Sequence, residues 1–160
     1  MKLNFNKEGI TNKASTNTSN SEIHDWNSSY YSLSEDELKE SLNNKINESK
    51  GKSVVVFYDG GRCNAYIENV LSEMNNLDNT YNKILITNYN QSYIDSMYDD
   101  YSCSMLILGD ENRYLSKDLD VFDSETEKMK NVIMLYENGL YSTKLEYNPR
   151  FEGSITKLIK

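Results

Sequence analysis

Residues 131–147 read NVIMLYENGLYSTKLEY, and this stretch decides the fold. Its first six residues form a short apolar run, the mark of a buried strand. Glu137-Asn138-Gly139 is a tight turn, because Asn-Gly accepts the positive φ that hairpins need. Residues 140–147 alternate their side chains and are expected to pair back antiparallel. Pro149 opens a last segment in which Phe151, Ile155, Leu158 and Ile159 mark a short amphipathic helix. A hairpin followed by a helix is not how a simple doubly wound sheet ends.

Upstream, strands and helices alternate. Ser34-Glu35-Asp36-Glu37 is a capping box, in which Ser34 accepts from the backbone three residues on and Glu37 reaches back. Leu33 and Leu38 flank it as a hydrophobic staple, and Leu38, Leu42 and Ile46 continue one apolar stripe until Gly51 marks a turn. Residues 53–58 (SVVVFY), 83–87 (KILIT) and 104–108 (SMLIL) are short apolar runs, as expected of strands covered on both faces. Tyr66, Ile67, Val70, Leu71, Met74 and Leu77 follow helical spacing after the first. Tyr93, Ile94, Met97, Tyr98 and Tyr101 do so after the second. Residues 113–130 are charged and irregular, with Leu115, Leu119, Val121 and Phe122 as anchors and a short helix expected over 124–129. The order is α-β-α-β-α-β, an irregular stretch, then β-β-α, which implies parallel pairing with right-handed crossovers before the closing hairpin.

Composition narrows the function. The chain has 160 residues, enough for one domain with a real core. Its mean hydropathy of −0.72 means that the core is concentrated in a few segments. The formal net charge of −8 repels phosphate backbones, so nucleic acid is not an expected partner. The weight of Asn, Ser, Lys and Tyr reads as the bias of an AT-rich bacterial genome. Residues 1–32 are polar and aperiodic and are expected to be a disordered tail ahead of a domain over 33–160. Ile23, Trp26, Tyr30 and Tyr31 form its one apolar patch, which either docks on the domain or meets a partner. No apolar run approaches the ~20 residues that span a membrane. The compartment stays open: cytoplasmic if Met1 is the native start, cell-surface or extracellular if a signal has been removed.

His24 is the only histidine and lies in the tail, so no Ser/His/Asp or Cys/His system is available inside the domain. Two cysteines, Cys63 and Cys103, make neither a CxxC motif nor a zinc spacing. No cofactor and no metal is expected. Asp110, Glu111, Asp118, Asp120 and Asp123 offer oxygen ligands, but their spacing fits no EF-hand loop, and a solvated acidic loop is the plainer reading.

LSEDELKESLNNKI, then SVVVFY, then a cysteine at a helix start resembles the front half of thioredoxin-like proteins of the bacteriocin-transport-accessory kind. NVIMLYENGLYSTKLEY and FEGSITKLI resemble the hairpin and last helix of a thioredoxin. The resemblance implies a three-layer α/β/α fold with a mixed sheet, a C-terminal β-hairpin and helix, and an insertion near 109–130. The family carries its redox CxxC at the first strand-to-helix turn, where a helix N-terminus lowers the thiol pKa. This chain has Asp59-Gly60-Gly61-Arg62-Cys63-Asn64-Ala65-Tyr66 there. Aligned by the helix stripe, Cys63 takes the place of the resolving cysteine and Gly60 that of the nucleophile. Aligned by the cysteine alone, Cys63 is the nucleophile and Tyr66 replaces its partner. The family's cis-proline is also missing. Asn131 stands there if NVIMLY opens the hairpin, and Cys103 is close to it if SMLIL does. In the second case Cys63 and Cys103 are neighbours able to bridge. If SMLIL is a parallel strand, Cys103 lies at the opposite edge.

Three functions follow. One is a non-catalytic module that binds a protein or peptide, possible as an accessory to export of a secreted peptide. Another is a single-cysteine thiol–disulfide protein using Cys63, with Cys103 as a candidate redox partner. The third is a doubly wound domain binding a small anion at Asp59, Gly60, Gly61 and Arg62, with Tyr66 alongside. The binding module is placed first because each catalytic reading lacks a residue that it needs. Tyr89, Tyr93, Tyr98 and Tyr101 offer a recognition surface, although at least half of them are expected in the core.

Overall fold

A computed structural model describes residues 31–48, 51–61, 65–101 and 104–159. Its elements are α1 (Glu35–Ile46), β1 (Lys52–Tyr58), α2 (Ile67–Asn75), β2 (Tyr81–Thr87), α3 (Gln91–Met97), a 3-10 turn (Asp99–Tyr101), β3 (Leu106–Gly109), α4 (Tyr114–Asp118), β4 (Phe122–Asp123), β5 (Lys128–Met129), β6 (Val132–Glu137), β7 (Leu140–Glu146) and α5 (Thr156–Ile159). The main sheet runs β3-β2-β1-β6-β7, and β4 and β5 form a separate small ribbon.

Strand β1 is central because it has no face to give to water. Val54, Val56 and Tyr58 point to one side, where Val70, Leu71 and Met74 of α2, Ile94 of α3 and Ile159 of α5 complete a core. Val55 and Phe57 point to the other, onto Leu38, Leu42 and Ile46 of α1 and Leu115 of α4. Fully burying a side chain of this size contributes about 1.5–3 kcal/mol, so this strand carries a large share of the stability. β1 pairs in parallel with β2, and β2 in parallel with β3. On its other side β1 meets β6 antiparallel, with Phe57 opposite Val132, and β6 turns back into β7. This is the expected mixed sheet between two helical layers.

The antiparallel centre overturns the doubly wound alternative, in which every neighbour of the central strand would run parallel. NVIMLY opens the hairpin, and SMLIL supplies a parallel strand at the sheet edge. That edge is closed by Gln91, whose side-chain amide accepts from the Gly109 N–H at 2.8 Å and donates to the Ile107 carbonyl at 3.2 Å. Gly109 is needed there, since a Cβ would stand 2.5 Å from the Tyr89 carbonyl oxygen.

Two details differ from expectation. In residues 113–130 the helix lies early, at α4, and residues 124–127 form the turn of the β4–β5 ribbon instead of a helix. Asp110 causes the first shift by accepting from the N–H groups of Tyr114, Leu115 and Ser116. Asp123 causes the second, since it accepts from Glu125 through its side chain and from Glu127 through its carbonyl. Among the described residues, contacts at the amino end already include Tyr31, ahead of Leu33. Tyr31 exchanges hydrogen bonds with Ser92 and donates its hydroxyl to Asp95. Trp26 and Tyr30 lie outside the described residues. The capping box forms as read, with Glu37 N–H to Ser34 at 3.1 Å and Ser34 N–H to Glu37 at 2.9 Å.

The last helix is held by a buried acid. Glu73 of α2 accepts from Gly153 and Ile155 at 2.8 Å and from Thr156 at 3.1 Å. Glu73→Ala leaves those donors without their acceptor, each at about 1–3 kcal/mol where buried. We expect a loss on the order of 3 kcal/mol, read in urea unfolding as a lower midpoint with unchanged slope.

Candidate functional site

The candidate site lies beyond the carboxyl end of β1, where the chain leaves the sheet for α2. Asp59 follows β1 with its carboxylate buried. One oxygen accepts from the Gly61 N–H at 2.9 Å and from Arg113 Nη2 at 3.1 Å. The other accepts from Arg113 Nε at 2.9 Å and from the Met129 N–H at 3.0 Å. The bond to Gly61 closes an Asx turn, and Gly61 sits at φ +63°, where an L side chain would be strained. Asn88, just after β2, donates to the Gly61 carbonyl at 2.9 Å. The turn is therefore fixed from three strands.

Among the described residues, Arg113 and Lys128 bring positive charge to this turn in a chain of net charge −8. The fork of Arg113 is held on Asp59, and its third nitrogen, Nη1, donates to the Glu111 carbonyl at 2.8 Å. Arg113 takes a left-handed backbone, φ 60°, to reach this position ahead of α4. Lys128 of β5 lies against Gly61: a Cβ on that glycine would stand 3.5 Å from Lys128 Cδ and 3.8 Å from Nζ. Beside them Asp110 is fully buried. Burial pushes its carboxyl above the usual range, while the Leu115, Ser116 and Tyr114 N–H groups and the Arg113 charge pull it back.

On the far side of the turn stand tyrosines. The Tyr66 N–H donates to the Tyr58 hydroxyl at 3.2 Å, and the exposed Tyr66 ring carries Arg150 at 6.0 Å from its centroid. Tyr89 packs on Tyr93 at 4.7 Å and on Tyr98 at 6.2 Å, and Tyr93 meets Tyr98 edge-on at 6.1 Å. Burial, then the neighbouring hydroxyl of Tyr98, drives the Tyr89 phenol far above its usual value. Tyr98 is buried, Tyr89 and Tyr101 are half-buried, and Tyr93 reaches the surface.

Of the residues singled out from sequence, the structure gathers Asp59, Gly60, Gly61 and Tyr66 at this end. Arg62, Cys63 and Cys103 lie outside the described residues. Helix α2 begins at Ile67, four residues past Cys63 and with no side-chain cap at Tyr66. The described neighbours of Cys103, Tyr101 and Ser104, precede the amino end of edge strand β3, whereas Gly61 follows the carboxyl end of β1. Asn131 takes the position of the family's cis-proline, immediately before β6. Its side-chain oxygen is buried with no hydrogen-bond partner, and no cis peptide occurs among the described residues. Also among the described residues, no cluster of His, Cys, Asp or Glu could hold a metal, and no helix is long and apolar enough to cross a membrane. Sequence reasoning missed Asn88, Arg113 and Lys128, which reach the turn from distant elements with no local signal.

No family model and no curated protein matches the chain. Solved structures do match. A reduced 2-Cys peroxiredoxin of Plasmodium vivax aligns at TM-score 0.54 and 13% identity, over 72% of this chain and 65% of that one, just under two thirds of its length. Thioredoxin peroxidase I of Plasmodium yoelii gives 0.52 and 12%, over 68% and 69%. The mitochondrial 2-Cys peroxiredoxin of Plasmodium falciparum gives 0.52 and 12%, over 73% and 75%. At such identities the likeness concerns the fold, which is thioredoxin-like.

Breaking a buried ion pair by removing one partner costs about 3–5 kcal/mol, because the other charge is stranded. Arg113 keeps some contact with water, so Asp59→Ala should cost about 3 kcal/mol, the lower end of that range. Replacing Asp59 and Arg113 together by Leu and Met should cost less than the sum of the single changes in a urea-unfolding cycle.

Proposed function

We propose that this chain is a thiol protein of thioredoxin-like fold that works with one cysteine, Cys63. The observation that carries the reading is the place of Cys63 in the connection from the central strand to α2, between Gly61 and Ala65. One feature of that connection favours a thiolate: the Lys128 ammonium lies against Gly61, two residues before Cys63.

In the proposed step the Cys63 thiolate attacks one sulfur of a partner disulfide. A new S–S bond forms, the partner's S–S bond breaks, and the released thiolate takes up a proton. A second, external thiol then frees Cys63, because no CxxC partner is present. A hydroperoxide is the other oxidant to test, since the solved structures sharing the fold are named as peroxiredoxins and a thioredoxin peroxidase. Thiolate attack on the O–O bond would leave a sulfenic acid and release water or an alcohol.

The second reading is a non-catalytic protein- or peptide-binding module, including a role beside export of a secreted peptide. Its support is the exposed aromatic surface of Tyr66 and Tyr93 flanking the same turn.

Iodoacetamide labelling across pH, read by intact mass, separates the two. Thiol chemistry calls for a Cys63 midpoint clearly below the ~8.5 of a free thiol, moved upward in Lys128→Met. It also calls for a stable adduct of Cys63 with glutathione disulfide. An ordinary midpoint with no adduct sinks the thiol reading and leaves the binding module.

A further inference from the structure

We propose that Tyr89 and Tyr93 form an oxidation site, at which a one-electron oxidant joins the two rings as dityrosine. The inference is independent of any chemistry at Cys63.

The pair is built by the start of α3. Tyr89 lies in the connection from β2, and Tyr93 stands four residues on, in the first turn of the helix. Asn90 caps that helix: its side-chain oxygen accepts from the Tyr93 N–H at 2.8 Å and from the Ser92 hydroxyl at 2.6 Å. On the other side, Gly109 lets the Tyr89 carbonyl lie directly against β3. Both backbones are thus fixed, and the rings meet with centroids 4.7 Å apart, tilted by 52°. The other ring pairs among the described residues stand at 6.0–6.2 Å.

The two rings differ in access. Tyr93 is 39% exposed, so an oxidant in solution reaches it directly. Tyr89 is half-buried, and burial holds its phenol protonated. A phenol gives up an electron readily only when its proton leaves with it. The Tyr89 hydroxyl lies beside that of Tyr98, which in turn neighbours that of Tyr93, so three phenols line a path from the interior to the surface.

In the proposed step each ring loses one electron to the oxidant and its phenolic proton to solvent, so two equivalents of oxidant are reduced. The two phenoxyl radicals join through a carbon–carbon bond between positions ortho to the oxygens, and the displaced ring hydrogens return to the oxygens. With hydrogen peroxide and a haem peroxidase as oxidant, the two electrons and two protons convert one peroxide into two waters. Coupling is ordinarily limited by the meeting of two scarce radicals, and rings already held side by side escape that limit. The new bond would lock the aromatic face beside the β1–α2 turn in one arrangement.

The full chain at low concentration, oxidised by a light-driven ruthenium complex with persulfate, tests the site without peroxide. We expect dityrosine fluorescence in a monomer lighter by two hydrogen atoms. The tryptic peptide 84–113 should carry that loss and resist fragmentation between residues 89 and 93. Tyr93→Phe and, separately, Tyr89→Phe should each remove the signal with the far-UV circular dichroism unchanged. Tyr141→Phe, which alters the Tyr136–Tyr141 pair, should leave it intact. Urea unfolding should lower the yield, because the fold and not the spacing along the chain holds the rings together. A link mapped to other tyrosines, or one that survives Tyr93→Phe in folded protein, overturns the site. So does a link found only between molecules, or a yield indifferent to urea.

Discussion

The carboxylate of Asp59 is the point on which the candidate site depends. A buried charge without partners is unaffordable in a protein interior, and this one is met by a guanidinium fork and two backbone N–H groups. Each donor comes from a different part of the chain: the turn after β1, the entry to α4, and β5. One side chain therefore ties the central strand to a stretch some 50–70 positions downstream. The position of Lys128 against Gly61 follows from that tie, because Met129 is its neighbour on the same short ribbon. An isolated two-stranded ribbon is marginal in water, and this one is secured by Asp59 together with the burial of Val121 and Met129 in the core.

The second constraint is the burial of β1 on both faces. A run of Val and Phe with no polar alternation has one stable outcome, a strand between two layers. Its partners are chosen by connection length: the helical crossover through α2 permits only parallel β2, while β6 arrives after the long 110–131 excursion and meets β1 antiparallel. That reversal puts Asn131 beside the carboxyl end of β1, next to the turn, and carries the hairpin to the opposite edge from β3.

Much of this was legible in the residues. The Ser34 box, the Leu38–Leu42–Ile46 stripe, the three apolar runs and Asn138-Gly139 are local signals, and local physics decides each. The stretch 113–130 was not legible, since its helix is started by Asp110, four positions ahead of Tyr114, and not by a cap beside it. The site divides in the same way. Asp59, Gly60 and Gly61 announce a turn in one glance, whereas Arg113 and Lys128 look like two surface cations among many. Their meaning comes from a pairing across the fold that no spacing encodes. The order of SMLIL in the sheet was likewise open until the partner of β1 was known.

Asp110 and Glu73 extend the argument from the site to the whole chain. Helices α4 and α5 have five and four residues, too short to persist by propensity, because the first turn costs more than it returns. Each is instead started by a buried carboxylate that accepts three N–H groups at its amino end, Asp110 for α4 and Glu73 for α5. Lys83 does the reverse at the other pole of α2, donating to the Leu77 carbonyl at 2.6 Å and to that of Asn75 at 3.4 Å. The apolar core determines which strands stack, and buried charges determine where the short elements begin and end. Such charges are costly unless every partner is in place, so they favour one arrangement over near alternatives more sharply than apolar contacts of similar size. In this chain they lie at the margins of the sheet, where the turn, the short helices and the tail attach.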